Sequence, residues 1–99
     1  MKSGLRKITI PASVSEIGER AFWKCKALNQ VTFNYGSELR TIESHCFEES
    51  GLTAIAIPSR VTFIGDYVFH GCKDLRHVEF SEDSALERIG SGCFRRSGI

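Results

Sequence analysis

The fold is decided by residues 5–25, which read LRKITIPASVSEIGERAFWKC, because the same pattern returns 47 positions later. Residues 52–72 read LTAIAIPSRVTFIGDYVFHGC, and 21 of the 47 residues in 4–50 are identical to their counterparts in 51–97. Most of the identical positions are apolar or glycine, and few are charged. The repeated feature is therefore a buried core and not a set of catalytic side chains.

Each block of 47 residues divides into two shorter units. The spacing L-x-x-I-x-I of residues 5–10 returns as L-x-x-V-x-F in residues 28–33, and the second kind of unit carries a two-residue insertion near residues 35–36. One unit cannot bury its apolar face alone, whereas stacked units bury a continuous core. The sequence thus predicts four units of 23–24 residues, at about 5–27, 28–51, 52–74 and 75–98.

Each unit is predicted to begin with a short strand and to continue into a short helical segment. Residues 8–10 alternate apolar and polar side chains, which is typical of a strand with one buried face, and Pro11 ends it because proline has no N–H to donate. Farther along, apolar residues recur at the helical spacing i, i+4, i+5, i+8 and i+11, namely at Ile17, Ala21, Phe22, Cys25 and Leu28. The start of such a helix is marked by acidic or N-capping side chains at Glu19, Ser44, Asp66 and Ser91.

The four units closely resemble the BspA-like class of leucine-rich repeats. The family pattern Leu-x-x-Ile-x-Ile-Pro-x-x-Val-x-x-Ile-Gly-x-x-Ala-Phe-x-x-Cys stands at residues 5–25 and returns at residues 52–72, with Val68 in place of the alanine. The alternate units end in C-F-x-x-S-G, at residues 46–51 and 93–98. The resemblance implies an α/β repeat solenoid with a parallel β-sheet on one face and short helical segments or turns elsewhere. It also implies non-catalytic surface antigens that are associated with adhesion and with the binding of host proteins.

Residues 1–99 are predicted to form a single leucine-rich repeat segment that belongs to a longer array. No polar capping unit is visible at either end, and uncapped strand edges are templates for self-association. No secretion signal follows Met1, and no apolar run approaches the roughly 20 residues of a membrane span. The sequence thus leaves the compartment open and predicts no insertion into a membrane, while the family resemblance implies the cell surface or secretion.

Composition and cysteine placement argue against several other classes of protein. The 13 basic and 12 acidic residues give a net charge of +1, which is not the footprint of a nucleic-acid binder. The four cysteines fall in two repeat columns, so buried thiols are the main interpretation, with disulfides between columns as the alternative. His45-Cys46 and His70-x-Cys72 lack a second ligand pair at zinc-site spacing. We therefore predict no metal, no cofactor and no catalytic residue.

The outward positions of the strands form the candidate binding face. Three ladders run across the units, and their members vary while the inward positions stay apolar: Thr9, Thr32, Ala56 and Glu79; Lys7, Gln30, Ala54 and His77; Arg6, Asn29, Thr53 and Arg76. From these ladders and the loop beyond them we select the candidate binding residues Lys7, Thr9, Gln30, Thr32, Tyr35, Arg76, His77 and Glu79. The expected partner is a protein or a glycan, and the alternative is a plain solvated face on a structural spacer.

Two aromatic side chains are harder to assign from the sequence. Tyr35 lies just past a strand, where its ring is either an interface anchor or a packed turn residue. Trp23 aligns with Glu48, His70 and Arg95, so its position is expected to face solvent. Its ring is then either a contact for a partner or lies flat over a neighbouring lysine stem.

Overall fold

The protein is a parallel β-solenoid of four coils, seen in a computed structural model that describes residues 4–99. Residues 1–3, which begin the stretch where no secretion signal is predicted, lie outside the described residues. Every coil contains one strand of four residues and one of two residues. In chain order these strands are β1 Lys7–Ile10, β2 Glu16–Ile17, β3 Gln30–Phe33, β4 Thr41–Ile42, β5 Ala54–Ile57, β6 Phe63–Ile64, β7 His77–Phe80 and β8 Arg88–Ile89.

The strands form two walls of the solenoid. The two-residue strands, which the sequence analysis did not predict, build a continuous parallel sheet in the order β2-β4-β6-β8. The four-residue strands build two separate parallel pairs, β1-β3 and β5-β7. Within each pair the predicted register is confirmed, since Thr9 lies opposite Thr32 and Ala56 opposite Glu79. The expected single sheet on this face is therefore divided in the middle.

The prediction of helical segments is wrong, because residues 4–99 contain no helix. The segments with helical spacing are rows of tight turns whose N–H groups alternate in direction. The N–H of Ala21 donates within its own turn to Gly18 at 3.2 Å, whereas the N–H of Phe22 donates to Cys46 in the next coil at 2.8 Å. An α-helix directs every N–H to residue i−4, so this alternation excludes one. Ser91 is accordingly not a helix cap, and its N–H donates to the Asp66 carboxylate at 2.9 Å.

Left-handed backbone conformations recur at the same two positions of all four coils. The first position is occupied by Arg20, His45, Tyr67 and Gly92, with φ between 58° and 62°, and the second by Lys24, Glu49, Gly71 and Arg96, with φ between 57° and 74°. Non-glycine residues rarely adopt this region. Here the N–H of Arg20 donates to Ser44 and that of Lys24 to Glu48 in the next coil, so hydrogen bonds between coils hold the conformation in place.

The core is a set of columns that run along the solenoid. Four phenylalanines stack with centroid separations of 5.4, 5.9 and 5.5 Å and nearly parallel planes, and they are Phe22, Phe47, Phe69 and Phe94. Phe47 and Phe69, in the two middle coils, are fully buried. Apolar side chains of the outer coils are less covered, and Ile89 is 42% exposed. Burial therefore depends on having a coil on each side.

Candidate functional site

The predicted strand face carries exposed side chains from all four coils. Each of the eight candidate residues is exposed: Lys7, Thr9, Gln30, Thr32, Tyr35, Arg76, His77 and Glu79. Pairing of β1 with β3 places Lys7 beside Gln30, and pairing of β5 with β7 places Ala54 beside His77. Inward neighbours such as Val31 and Ile55 are buried. The face thus combines a fixed inner layer with a varied outer layer.

The ladders are interrupted between β3 and β5. At the base of the strands, the N–H of Thr53 lies 3.5 Å from the carbonyl oxygen of Asn29, whereas the matching bonds at the flanking junctions measure 2.9 Å. At the other end of the strands, the N–H of Asn34 donates to Ile10 at 3.1 Å, but the matching position in the third coil is Pro58, which has no N–H. The eight candidate residues therefore lie in two groups on either side of this gap.

A groove of about 670 Å³ follows the gap between β3 and β5 and the loops beyond them. Its lining includes Thr32 and Tyr35 from one side and Ala56 and Arg60 from the other. Tyr35 is 101% exposed, so its interpretation as a packed turn residue is wrong. The groove closes again where the N–H of Thr62 donates to Arg40 at 2.9 Å.

The turn-bearing side of the solenoid, which holds the rows of tight turns, carries a cluster that the sequence analysis missed. Glu48 accepts from two imidazoles, those of His45 in its own coil and His70 in the next coil, the latter at 3.1 Å. The Tyr67 ring stacks on His45 at 5.3 Å and meets His70 edge-on at 5.6 Å. Glu48 aligns with His70, and His45 with Tyr67, so column alignment across units could have revealed this cluster.

Trp23 lies on the same side and is partly buried. The ammonium of Lys24 lies 4.6 Å from the centre of the Trp23 ring, and the guanidinium carbon of Arg20 lies 5.8 Å away. Cations over an indole face are attracted to its π-electrons. The neighbouring lysine stem expected from the sequence is thus Lys24, and part of the ring is already covered by the protein itself.

The cysteines are packed as small apolar residues. All four are buried thiols, and no disulfide joins them. Burial raises the pKa of Cys46 to about 12 and that of Cys93 to about 11, and burial also raises the pKa of Cys72. A reactive cysteine needs an accessible thiolate. These three thiols therefore lack the properties of a nucleophile, and the predicted burial of the cysteines in the core is confirmed.

Residues 4–99 contain no group of three or more His, Cys, Asp or Glu side chains that could hold a metal ion. No helix in this part is long and apolar enough to cross a membrane.

Comparisons with known proteins agree on one family. The family described as BspA type leucine rich repeat region (6 copies) matches residues 1–99. The crystal structure of the pneumococcal vaccine antigen PcpA superposes with a TM-score of 0.81 at 26% identity, over 92% of this chain and 28% of that one. The leucine-rich repeat protein of T. pallidum gives a TM-score of 0.74 at 32% identity, over 90% of this chain and 40% of that one.

The comparison with curated proteins gave no match. The chain spans less than half the length of the two solved relatives, so the likeness covers a segment of each. The chain belongs to the BspA-type leucine-rich repeat family.

Proposed function

We propose that this chain is a non-catalytic binding module that presents its strand face to a protein or glycan partner. The observation that carries the proposal is the division of each strand into two sets of positions. The inward residues Ile8, Val31, Ile55 and Val78 remain aliphatic, whereas the outward residues Thr9, Thr32, Ala56 and Glu79 change from coil to coil. Such a division separates a scaffold, which must repeat, from a surface that is free to differ.

The exposed groups of the face are suited to recognition. Lys7 and Arg76 supply positive charge, Glu79 supplies negative charge, and Tyr35 supplies an aromatic ring that contacts almost nothing in its own chain. Tyrosine and arginine are over-represented among the residues that dominate binding energies. A rigid backbone also lowers the entropic cost of ordering these groups on binding.

The likeness to a pneumococcal vaccine antigen supports a role at the cell surface or in a secreted protein. The family is generally non-enzymatic, and the high pKa values of Cys46 and Cys93 fit that assignment. We therefore propose that the module belongs to an adhesive surface protein. Flow cytometry of intact producing cells with an antibody against the purified chain tests this location, and staining only after permeabilisation contradicts it.

The binding proposal is tested with two variants that each carry four alanine substitutions. In the first, Thr32, Tyr35, Arg76 and His77 are all changed to alanine; in the second, the turn-bearing residues Trp23, Lys24, Arg95 and Arg96 are changed in the same way. Both are compared with the wild type on arrays of extracellular proteins and oligosaccharides. We expect the first variant alone to lose retention. Loss of binding in the second variant alone overturns the choice of face.

A structural role is the second candidate, and a specific observation favours it. Large apolar side chains are exposed on the two outer coils, with Leu5 at 45%, Ile89 at 42% and Ile99 at 64%. Such surfaces fit the stacking of further coils. Size-exclusion chromatography with light scattering over a concentration series tests this role. Concentration-dependent oligomers together with blank arrays favour a spacer, whereas an 11.1 kDa monomer that is retained on the arrays favours the binding module.

A further inference from the structure

The strand face opens at one of its three junctions between coils. The outer two junctions are each closed by four residue pairs, and the middle junction, between β3 and β5, has no strand pairing. The same difference appears in the loops beyond. Glu38 donates to Ala12 at 2.9 Å and Ala85 to Ser59 at 2.8 Å across the outer junctions. No matching loop bond forms across the middle junction, so the gap extends from the strands into the loops.

Two features of the sequence produce this opening. Pro58 removes the N–H that would reach the end of β3. The two-residue insertion in the second unit lengthens the loop after β3, where Gly36 has a φ of 76°. Both features belong to the residues that line the groove. Both features thus lie at the open junction itself.

The chemistry of the groove mixes apolar and polar groups and is nearly uncharged. Arg60 is the one cation along its lining and Asp83 the one anion, so their formal charges cancel. Most of the other polar groups in the lining are neutral side chains that both donate and accept hydrogen bonds, as in Thr32, Asn34 and Ser59. Tyr35 adds a ring that is fully exposed. This combination fits a ligand with many hydroxyl groups and one apolar face.

From these observations we infer that the groove between β3 and β5 binds a neutral oligosaccharide. The inference rests on the proposed function and specifies where on the strand face the ligand lies. The volume of the groove, about 670 Å³, falls within the range of about 300–1,000 Å³ that is usual for ligand sites. The Tyr35 ring lies against the apolar face of one sugar, while hydroxyl and amide side chains exchange hydrogen bonds with its edge. Ala56 contributes only a methyl group, which leaves room above the strand.

Other ligand classes fit this lining less well. A sulfated or phosphorylated chain needs an excess of cations, and the single Arg60 is offset by Asp83. An apolar peptide side chain needs a continuous apolar pocket, whereas the apolar surface here comes from partly exposed residues such as Phe33 and Pro58, which alternate with polar ones. A peptide strand added by backbone pairing needs an open sheet edge on one side. Here β3 and β5 still lie side by side, since the backbone nitrogen of Thr53, just before β5, is 3.5 Å from the carbonyl oxygen of Asn29, just before β3.

The test uses two tryptophan substitutions at equivalent outward positions. Ala56→Trp fills the groove, and Thr9→Trp places the same ring on β1, outside it. Tyr35→Ala removes the proposed stacking platform. Each variant is compared with the wild type on an array of neutral and acidic oligosaccharides of two to six sugars and on an array of peptides. Circular dichroism checks that all three retain the native spectrum and melting temperature.

We expect neutral oligosaccharides to be retained by the wild type and by Thr9→Trp. Ala56→Trp is expected to abolish retention, and Tyr35→Ala to weaken it about tenfold, as for the loss of one aromatic anchor. Retention of acidic glycans or peptides only, or of nothing, overturns the inference. If the fourfold strand-face variant loses binding while Ala56→Trp keeps it, the groove assignment fails and the binding module stands. If none of these variants changes retention, both assignments fail.

Discussion

Gly18 and Gly65 occupy the same position of the repeat, 47 residues apart, yet they should respond oppositely to substitution by alanine. A Cβ added at Gly18 meets nothing within 4 Å. A Cβ added at Gly65 would lie 2.7 Å from the backbone nitrogen of Ser44 in the preceding coil, about 0.7 Å short of ordinary contact, which begins at 3.4 Å. Neither glycine has a positive φ, so the backbone conformation itself accepts alanine at both positions.

The size of the difference follows from what must move. At Gly65 the obstacle is backbone, so the two coils must part, which strains the 2.8 Å bond from the Gly65 N–H to Ile42. Overpacking costs about 1–3 kcal/mol and the lost hydrogen bond about 1 kcal/mol, so Gly65→Ala should destabilise the fold by about 2–4 kcal/mol. Gly18→Ala should stabilise it by about 0.4–1 kcal/mol, because alanine restricts the unfolded chain.

Thermal unfolding followed by circular dichroism measures both variants against the wild type. At about 4–8 °C per kcal/mol for a domain of this size, Gly65→Ala should lower the melting temperature by at least about 8 °C, whereas Gly18→Ala should raise it slightly. The double variant serves as a control, since the two sites are distant enough for their effects to add. Equal melting temperatures for the two single variants would refute the reasoning that the neighbouring coil, and not the repeat sequence, sets the cost.

Three further predictions follow from burial. Phe69→Ala should lower the free energy of unfolding by about 3–5 kcal/mol in urea, and Phe22→Ala by less, because the Phe22 ring has one stacked neighbour and Phe69 has two; equal losses contradict the column. Ile57→Ala, at a position that is 3% exposed, should cost about 2–5 kcal/mol, and an unchanged melt removes it from the core. The free energy of unfolding under reducing conditions should fall as pH rises above 9.0, since unfolded thiols ionise there while burial keeps the pKa of Cys46 at about 12 and that of Cys93 at about 11. Urea titrations at several pH values from 8 to above 10 check this last prediction, and a flat profile contradicts it.

The strands and their register could be predicted because side-chain alternation encodes them directly. Ile8-Thr9-Ile10 has one apolar face, and a repeat of 23 residues places Thr32 beside Thr9. The turns could not be predicted in the same way, since helical spacing and a row of tight turns both bring Phe22 and Cys25 inward. The difference lies in the left-handed φ of residues such as Arg20, which the hydrogen bonds between coils impose against local preference. Only Gly71 and Gly92, at the two recurrent positions, carried a sequence signal for it.

The exposed positions of the candidate site were predicted from the sequence, but the groove between β3 and β5 was not. The outward positions were identified correctly as exposed, because a strand alternates its side chains between two faces. The gap between β3 and β5 was not predicted, although the sequence shows that Pro58 has no backbone N–H to donate to β3. The prediction treated that proline only as the end of its own strand. Its effect is on the neighbouring strand, which shows that pairing must be considered across two units at once.

The hydrogen bonds between turns also have a consequence for folding during synthesis on the ribosome. The N–H groups of Arg20, Phe22 and Lys24 find their acceptors in residues 44–48, which the ribosome adds about 24 residues later. A newly emerged coil therefore has its left-handed residues and no acceptors to hold them. It gains these hydrogen bonds only when the following coil has left the exit tunnel, so the hydrogen bonding of the nascent chain is completed one coil behind its synthesis. Until then, the most recent coil is the part that a chaperone or a protease would meet.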